Sequence, residues 1–168
     1  MVIGVIPARI GSTRFPNKIL ADIDGKPMVA HVAERAQEAK KIDRVIIAID
    51  SEEAKNALSD YKFDLVMTKS SHTSGTDRVA EVVKSIDESE LIINIQGDEP
   101  LLDPNIIDGL VGLFDDPSVS MGTVVSRNIG VNDYLDRNIV KVFLDENQNA
   151  YDFKRDIYDA EIGGVFRH

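Results

Sequence analysis

Short continuous apolar runs alternate along this chain with segments in which apolar residues recur every three or four positions. Runs such as VIGVI and RVIIAI are rich in β-branched residues and are bounded by polar residues, which is typical of buried strands. The segments between them have the spacing of helices that are apolar on one side. This alternation predicts an α/β fold, with a mainly parallel sheet that is flanked by helices on both faces.

The alternation covers most of the chain. We predict buried strands over residues 2–6, 44–49, 64–68, 91–95 and 119–125, and helices over residues 27–39, 76–86 and 104–114. The stretches 140–144 and 150–153 flank a polar turn and predict a hairpin. Because no repeat or linker interrupts the pattern, we expect a single domain over residues 1–168.

Charge and composition exclude several classes of protein. The chain has 29 acidic against 19 basic residues, a net charge of −10, so we expect no binding to nucleic acid or to an anionic membrane. It has no cysteine, which excludes disulfides and thiol chemistry. No apolar run approaches the roughly 18 residues of a membrane-spanning helix, and the start lacks the basic flank of a signal peptide. We therefore expect a soluble cytoplasmic protein.

The first predicted strand leads into a loop, IPARIGSTRFPNK, that carries Arg9, Arg14 and Lys18 and no acid. Ligands of open parallel sheets bind beyond the carboxyl ends of the strands. Several converging cations at that position suit a polyphosphate. The loop is neither a Walker loop nor a Gly-x-Gly-x-x-Gly turn. A solvated loop whose charges share a sign is the alternative interpretation.

A second polar loop, HTSGTDR, follows the third predicted strand. The amides and hydroxyls of Ser74 and Gly75 can read the edge of a base, and Arg78 can hold an anion near the start of a helix. An ordinary helix cap at Ser74 or Thr76, with Asp77 in the first turn, explains the same residues. We interpret Asp50, at the end of the second strand, as a helix cap as well.

A third loop, INIQGDEP, follows the fourth predicted strand and ends in two carboxylates. Asp98 is the candidate ligand for Mg²⁺, which binds one or two carboxylates together with phosphate oxygens. Gln96 can donate to and accept from a sugar hydroxyl or carboxylate. A turn with solvated acids is the alternative.

Together these loops resemble the CMP-Kdo synthetase family, the 3-deoxy-manno-octulosonate (Kdo) cytidylyltransferases. The stretch IPARIGSTRFPNKILADIDGKPM meets every fixed position of the N-terminal pattern of that family, from Ile6 to Met28. The SGTDR, QGDEP and NIVKVFLD segments are similar to its further motifs.

The resemblance implies a Rossmann-like nucleotidyltransferase fold of the nucleotide-diphospho-sugar transferase type. It implies transfer of CMP from CTP to Kdo, with release of pyrophosphate, in the lipopolysaccharide biosynthesis of a bacterial cytoplasm. The resemblance also implies a homodimer. By similarity the nucleotide-binding residues are Pro7, Ala8, Arg9, Lys18, Ser74 and Gly75. The sugar-binding residues are Arg14, Arg78 and Gln96, Asp98 binds Mg²⁺, and Arg9, Lys18 and Asp98 are catalytic.

The resemblance thins after about Leu144. Lys154 stands where the family has serine, and the family's Ile-Pro is absent. The family pattern also continues beyond an Arg-His pair into a sugar-contacting helix and a second metal-binding aspartate. We therefore expect a domain truncated at its C-terminus that keeps the nucleotide half and one of two metal carboxylates. The alternatives are a cytidylyltransferase for another acid sugar, such as sialic acid, and a CTP-binding homologue without turnover.

Overall fold

The computed structural model describes residues 1–11, 17–86, 90–156 and 165–168. The chain forms two compact units, Met1–Val119 and Ser120–His168. The expectation of one domain over the whole chain is not tested by this division and stays a prediction.

The first unit is built on a parallel sheet of four strands. Its strands along the chain are β1 (Val2–Ala8), β2 (Asp22–Ile23), β3 (Lys26–Pro27), β4 (Arg44–Ile49), β5 (Asp64–Met67) and β6 (Leu91–Asn94). The main sheet has the order β5-β4-β1-β6, and β2 and β3 form a small antiparallel pair. Strand β1 pairs in parallel with both β4 and β6. The four corresponding sequence predictions are confirmed, and β1 extends two residues beyond the predicted end.

Helices cover both faces of this sheet, as predicted. They are α1 (Met28–Gln37), α2 (Glu52–Ala57), α3 (Gly75–Val83) and α4 (Pro104–Gly112). Apolar residues of α1, α2 and α4 pack in one buried cluster with alternate residues of β1 and β4. Val79 and Val82 of α3 pack in a second cluster against the opposite face, with Ile3 and Val5 of β1. Alternate residues of β1 therefore serve two cores, which explains why its sequence is apolar throughout.

The helix starts follow ordinary capping rules, with one correction to the sequence interpretation. Helix α2 is capped by Ser51, whose side chain accepts a hydrogen bond from the backbone N–H of Ala54 at 3.1 Å. Asp50 is therefore not the cap that we expected. The seryl oxygen satisfies the free amide of the first turn, and the neighbouring carboxylate is left for other contacts.

The second unit contains α5 (Val131–Leu135) and an antiparallel sheet of β7 (Lys141–Leu144), β8 (Ala150–Lys154) and β9 (Val165–Arg167). The order is β8-β7-β9, and the pairing of Leu144 with Ala150 confirms the predicted hairpin. Lys141 is fully buried, and its ammonium donates to the backbone carbonyls of Asp136 at 2.6 Å and Arg155 at 2.8 Å. These bonds satisfy a charge that would otherwise be costly to bury.

The strand predicted over residues 119–125 is wrong. These residues form no strand, and Met121 is 87% exposed. The prediction rested on β-branched composition, which stabilises a strand only where a neighbouring strand and a buried face are present. No helix in the described parts of the chain combines the length and the apolar character that crossing a membrane requires.

Core packing at α2 leads to a stability prediction. Leu58, which follows α2, is fully buried, whereas Leu101 is 92% exposed. We expect Leu58→Ala to lower the free energy of unfolding by about 2–5 kcal/mol, because it removes buried methyl groups and leaves a cavity. The matched Leu101→Ala control should stay within about 0.5 kcal/mol. Urea denaturation measures both, and equal effects would contradict this assignment of the core.

Candidate functional site

The carboxyl ends of β1 and β6 and the start of α3 meet at one edge of the sheet. A methyl group added at Gly75 would lie 3.2 Å from Cγ of Pro7. A methyl group added at Gly97 would lie 3.1 Å from the backbone oxygen of Pro7. Both glycines therefore allow a close approach to the end of β1. This packing brings the three polar loops of the sequence analysis together at the edge where ligands of such sheets bind.

Lys18 and Asp98 form an ion pair at this edge. They lie 80 positions apart in the chain, and the Lys18 ammonium donates to Oδ2 of Asp98 at 2.5 Å. The two side chains are 41% and 43% exposed, so solvent and ligands can reach both. The structure thus brings together the predicted phosphate-binding cation and the predicted metal-binding carboxylate.

Lys18 is held by a short helical turn, Lys18–Leu20, whose Ile19 is buried in the main core. Asn17 precedes this turn with a left-handed backbone, φ 56°, which asparagine tolerates better than most residues. The backbone N–H of Asn17 donates to the carbonyl of Ile10 at 3.3 Å. This bond closes the base of the opening loop, so the position of Lys18 is fixed relative to the end of β1.

The other predicted residues of the opening loop differ in exposure. Pro7 is half-buried, and Ala8 is fully buried at the end of β1, where it pairs with Ile49 of β4. Arg9 is exposed and forms no ion pair within the described part of the chain. Arg14, the predicted sugar contact, lies outside the described residues.

The second loop forms the helix cap that the sequence suggested. The Ser74 hydroxyl accepts from the backbone N–H of Asp77 at 3.1 Å and donates to its carboxylate at 2.7 Å. The bond donated by Ser74 is the main cause of a lowered pKa at Asp77. The cap interpretation is confirmed. Base recognition by Ser74 and Gly75 is a separate expectation, which these contacts do not test.

His72 packs against the helix that this loop begins. Its Nε2 lies 2.5 Å from Oε2 of Glu81, and the same carboxylate accepts from the backbone N–H of Lys69 at 3.0 Å. The hydrogen bond from the Lys69 amide, followed by that from His72, lowers the pKa of Glu81. His72 therefore helps to hold the loop onto α3.

Arg78, predicted as a sugar contact, lies inside the protein and is only 1% exposed. Its guanidinium donates to Oδ2 of Asp50 at 3.0 Å and to the hydroxyl of Thr68. The other oxygen of Asp50 accepts from the backbone N–H of Ile10 at 3.1 Å. These are the contacts of a buried structural arginine, and its role toward a sugar stays an untested prediction.

Sequence reasoning missed Asp50 and Thr68 as parts of this edge. Both follow strands of the parallel sheet, Asp50 after β4 and Thr68 after β5. The rule that polar residues at the carboxyl ends of parallel strands converge could have found them. Capping statistics led to a different interpretation of Asp50.

The third loop presents Gln96 and Asp98 on either side of the buried Gly97, and both side chains are exposed. No group of three or more histidine, aspartate or glutamate side chains with metal-binding geometry occurs in the described ranges. As far as the described residues go, a divalent cation at Asp98 would have this one carboxylate together with phosphate oxygens and water as ligands. That donor set suits Mg²⁺, which binds to proteins through one or two carboxylates.

Ser74→Ala should raise the pKa of Asp77 toward the ordinary value of an aspartate, because the carboxylate loses its main hydrogen bond. A carboxyl whose pKa is lower in the folded state than in the unfolded state stabilises the fold at every pH above its unfolded-state pKa. This contribution disappears as the pH falls through the folded-state pKa. The stability lost in Ser74→Ala should thus be greatest at neutral pH and shrink in acid.

NMR titration of the Asp77 carboxyl measures its pKa. Urea denaturation at neutral and at acidic pH measures the stability lost at each. Ser85→Ala is the control, because Ser85 bonds to the carbonyl of Val82 at the other end of α3. An unchanged Asp77 pKa in Ser74→Ala would contradict the assigned cause.

Comparison with known proteins places the chain among nucleotidyltransferases. A curated 3-deoxy-manno-octulosonate cytidylyltransferase from Pelobacter propionicus is 47% identical over 155 residues, which cover 92% of this chain and 60% of that protein. The corresponding protein from Geobacter metallireducens is 45% identical, with 92% of this chain and 61% of that protein covered. The chain thus spans about three-fifths of the length of these relatives.

Solved structures agree with this placement. A CMP:2-keto-3-deoxy-manno-octonic acid synthetase complexed with CTP is 34% identical and superposes with a TM-score of 0.86, covering 99% of this chain and 71% of that one. A 4-diphosphocytidyl-2C-methyl-D-erythritol synthase from Anaerococcus prevotii shares the fold at 15% identity and a TM-score of 0.58, covering 91% of this chain and 67% of that one. The Rossmann-like nucleotidyltransferase fold is confirmed.

The family model described as cytidylyltransferase matches residues 3–161. That match extends over nearly the whole sequence and includes the three loops that meet at the edge of the parallel sheet. The chain belongs to the cytidylyltransferase family.

Proposed function

We propose that this chain provides the CTP-binding half of a 3-deoxy-manno-octulosonate cytidylyltransferase. In the reaction, the anomeric hydroxyl of the sugar acid attacks the α-phosphorus of CTP, which gives CMP-Kdo and pyrophosphate. The observation that carries the proposal is the meeting of Lys18 and Asp98 at the ligand-binding edge of the sheet. The similarity to curated Kdo cytidylyltransferases supports the choice of sugar.

The triphosphate is assigned to Arg9 and Lys18. Arg9 extends from the end of β1 into solvent, and Lys18 is fixed at the far end of the same loop. Two cations at the two ends of one loop can neutralise different phosphates of the same chain. This arrangement explains why the loop is basic in a protein whose net charge is −10.

Cytosine is assigned to the backbone around Pro7, Ala8, Ser74 and Gly75. Gly75 packs on Pro7, so these two backbone segments border one space. The first amides of a helix have no acceptor within the helix, and the N–H of Asp77 in α3 is taken by the Ser74 hydroxyl, so the proposal assigns the N–H groups of Gly75 and Thr76 to the ligand. The Ser74 hydroxyl is engaged with Asp77, so the proposal assigns base reading chiefly to backbone groups.

Asp98 is assigned to Mg²⁺. When bound, the cation would neutralise charge on the α-phosphate and on the departing pyrophosphate. The residues of this chain position CTP and hold its charge, and no side chain needs to form a covalent bond to substrate.

Gln96 and Arg14 are assigned to the sugar acid. Arg78 is left out of direct contact, because its guanidinium is buried and paired with Asp50.

The proposal extends to the setting that the family similarity implies. It places the enzyme in the cytoplasm, in the supply of activated sugar for lipopolysaccharide, and it includes a homodimer. A single assay tests its core: pyrophosphate release from CTP, Mg²⁺ and Kdo. Release with Kdo supports the assignment. Release with sialic acid alone would overturn the choice of sugar, and CTP binding with no release would favour a binding protein without turnover.

Asp98→Asn should lower turnover by roughly 10²–10³-fold, because it removes one charged group that stabilises the transition state. Much of the CTP affinity should remain, since Arg9 and Lys18 still hold the phosphates. Steady-state pyrophosphate release and calorimetric titration with CTP measure the two quantities. The matched control is Glu99→Gln, which removes the adjacent exposed carboxylate and should leave turnover unchanged. Undiminished turnover in Asp98→Asn would remove Asp98 from the metal site.

A further inference from the structure

Asp50 connects the two loops to which the nucleotide is assigned. One carboxylate oxygen accepts from the backbone N–H of Ile10, at 3.1 Å, where the opening loop begins. The other accepts from the guanidinium of Arg78 in α3 at 3.0 Å. Arg78 also donates to the hydroxyl of Thr68, which in turn donates to the carbonyl of Ile49 at 2.7 Å. Each oxygen of the Asp50 carboxylate therefore binds a different segment of the chain.

This connection is shielded from water. The side chains of Arg78 and Asp50 are 2% and 10% exposed. A buried ion pair whose members make further hydrogen bonds holds a defined geometry, because moving either group leaves a buried charge without a partner. The link is therefore much stiffer than an exposed ion pair, which solvent screens and side-chain entropy weakens.

The two connected segments lie close in sequence to the assigned ligand groups. Ile10 directly follows Arg9, and Arg78 lies one helical turn after Ser74. A shift of the Asp50 carboxylate or the Arg78 guanidinium would therefore move the opening loop relative to the turn at Ser74 and Gly75. No other described ion pair joins residue 50 or residue 78 to another residue.

We propose that Asp50 is a positioning residue that sets the spacing between two segments. One is the opening loop with Arg9 and Lys18, called here the phosphate-binding loop, and the other is the turn at Ser74 and Gly75, called here the base-binding turn. This inference rests on the proposed function for the identity of the ligand. Asp50 does not touch the nucleotide. The spacing that Asp50 sets allows one CTP molecule to bind with its base at the base-binding turn and its phosphates at the phosphate-binding loop. We call these two places the half-sites. The affinity for CTP depends on their spacing, because the linked base and phosphates of one molecule bind together only when the distance between the half-sites matches the ligand.

Half-ligands separate this role from a general effect on folding. Cytidine occupies only the base-binding turn, and inorganic tripolyphosphate with Mg²⁺ occupies only the phosphate-binding loop. In Asp50→Asn we expect the affinity for CTP to fall by roughly tenfold to a hundredfold, which is part of the gain of about 10²–10⁴-fold that joining two binding groups can give. The affinities for the two half-ligands should change by less than about threefold, because each half-site is intact.

Calorimetric titration of the 168-residue chain with the three ligands measures this pattern. Equal weakening of all three ligands would overturn the proposal, since a merely structural role affects both half-sites alike. Unchanged CTP affinity would overturn it as well.

A second variant covers the case in which Asp50→Asn does not fold because Arg78 is left unpaired. Asp50→Asn combined with Arg78→Met removes both buried charges and leaves neither without a partner. It should fold and should show the same selective loss of CTP affinity. Binding of CTP by this double variant at the level of the unmodified chain would overturn the proposal.

Asp64→Asn is the matched control. Asp64 pairs with Arg44 at the opposite end of β4, where the two side chains are 38% and 42% exposed. This ion pair joins neighbouring strands at the edge away from the candidate site, so its loss should leave all three affinities unchanged. A loss of CTP affinity in Asp64→Asn as large as that in Asp50→Asn would contradict a specific role for Asp50.

Hydrogen exchange at the Ile10 amide tests the link without any ligand. Asp50→Asn should accelerate exchange at that amide, because asparagine offers one uncharged acceptor oxygen to two donors, the Ile10 N–H and the Arg78 guanidinium. If the unmodified chain binds no CTP, the proposed function fails. Faster exchange at Ile10 would then still support the link between the two loops, and unchanged exchange would overturn it.

Discussion

Parallel pairing of β1 between β4 and β6 is the constraint on which the rest of the first unit depends. Because the strands run in one direction, the loops after β1, β4, β5 and β6 all leave the sheet at the same edge. Lys18 and Asp98 meet there although 80 positions separate them. The apolar cores on the two faces of β1 stabilise this pairing, and the polar chemistry of the edge follows from it.

Glycine determines how closely the loops approach one another at that edge. Gly97 lies against the carbonyl of Pro7, and Gly75 lies against its ring. A Cβ atom at either position would make a tight contact with Pro7, at 3.2 Å for Gly75 and 3.1 Å for Gly97, and the neighbouring atoms would have to shift to accommodate it. Ser74 and Asp98 directly neighbour these two glycines. The close backbone packing therefore also determines where the side chains of Ser74 and Asp98 lie. A loop that must bring backbone amides to a ligand has little room for side chains between its segments.

The sequence predicted the layered α/β fold because buried strands and one-sided helices leave different apolar periods. The edge rule and the family resemblance together selected Lys18 and Asp98 as candidate site residues, and the structure brings these two side chains into contact. The sequence did not predict the ion pair between Asp50 and Arg78. An aspartate just before a helix can be a helix cap or a member of a buried ion pair, and the sequence does not distinguish the two roles. The strand proposed over residues 119–125 failed for a related reason: local composition does not reveal whether a neighbouring strand exists.

Charge at the edge must act locally in this protein. The net charge of −10 repels a triphosphate at long range, but salt screens exposed charges beyond about 8 Å at physiological ionic strength. Lys18 is already neutralised by Asp98, whereas Arg9 has no carboxylate partner among the described residues. A triphosphate alone would meet both the Lys18 ammonium and the Asp98 carboxylate, and the carboxylate opposes its binding. A triphosphate that carries a divalent cation would satisfy both groups at once, so under the proposed function the Lys18–Asp98 pair would favour the metal complex of the nucleotide over the free nucleotide.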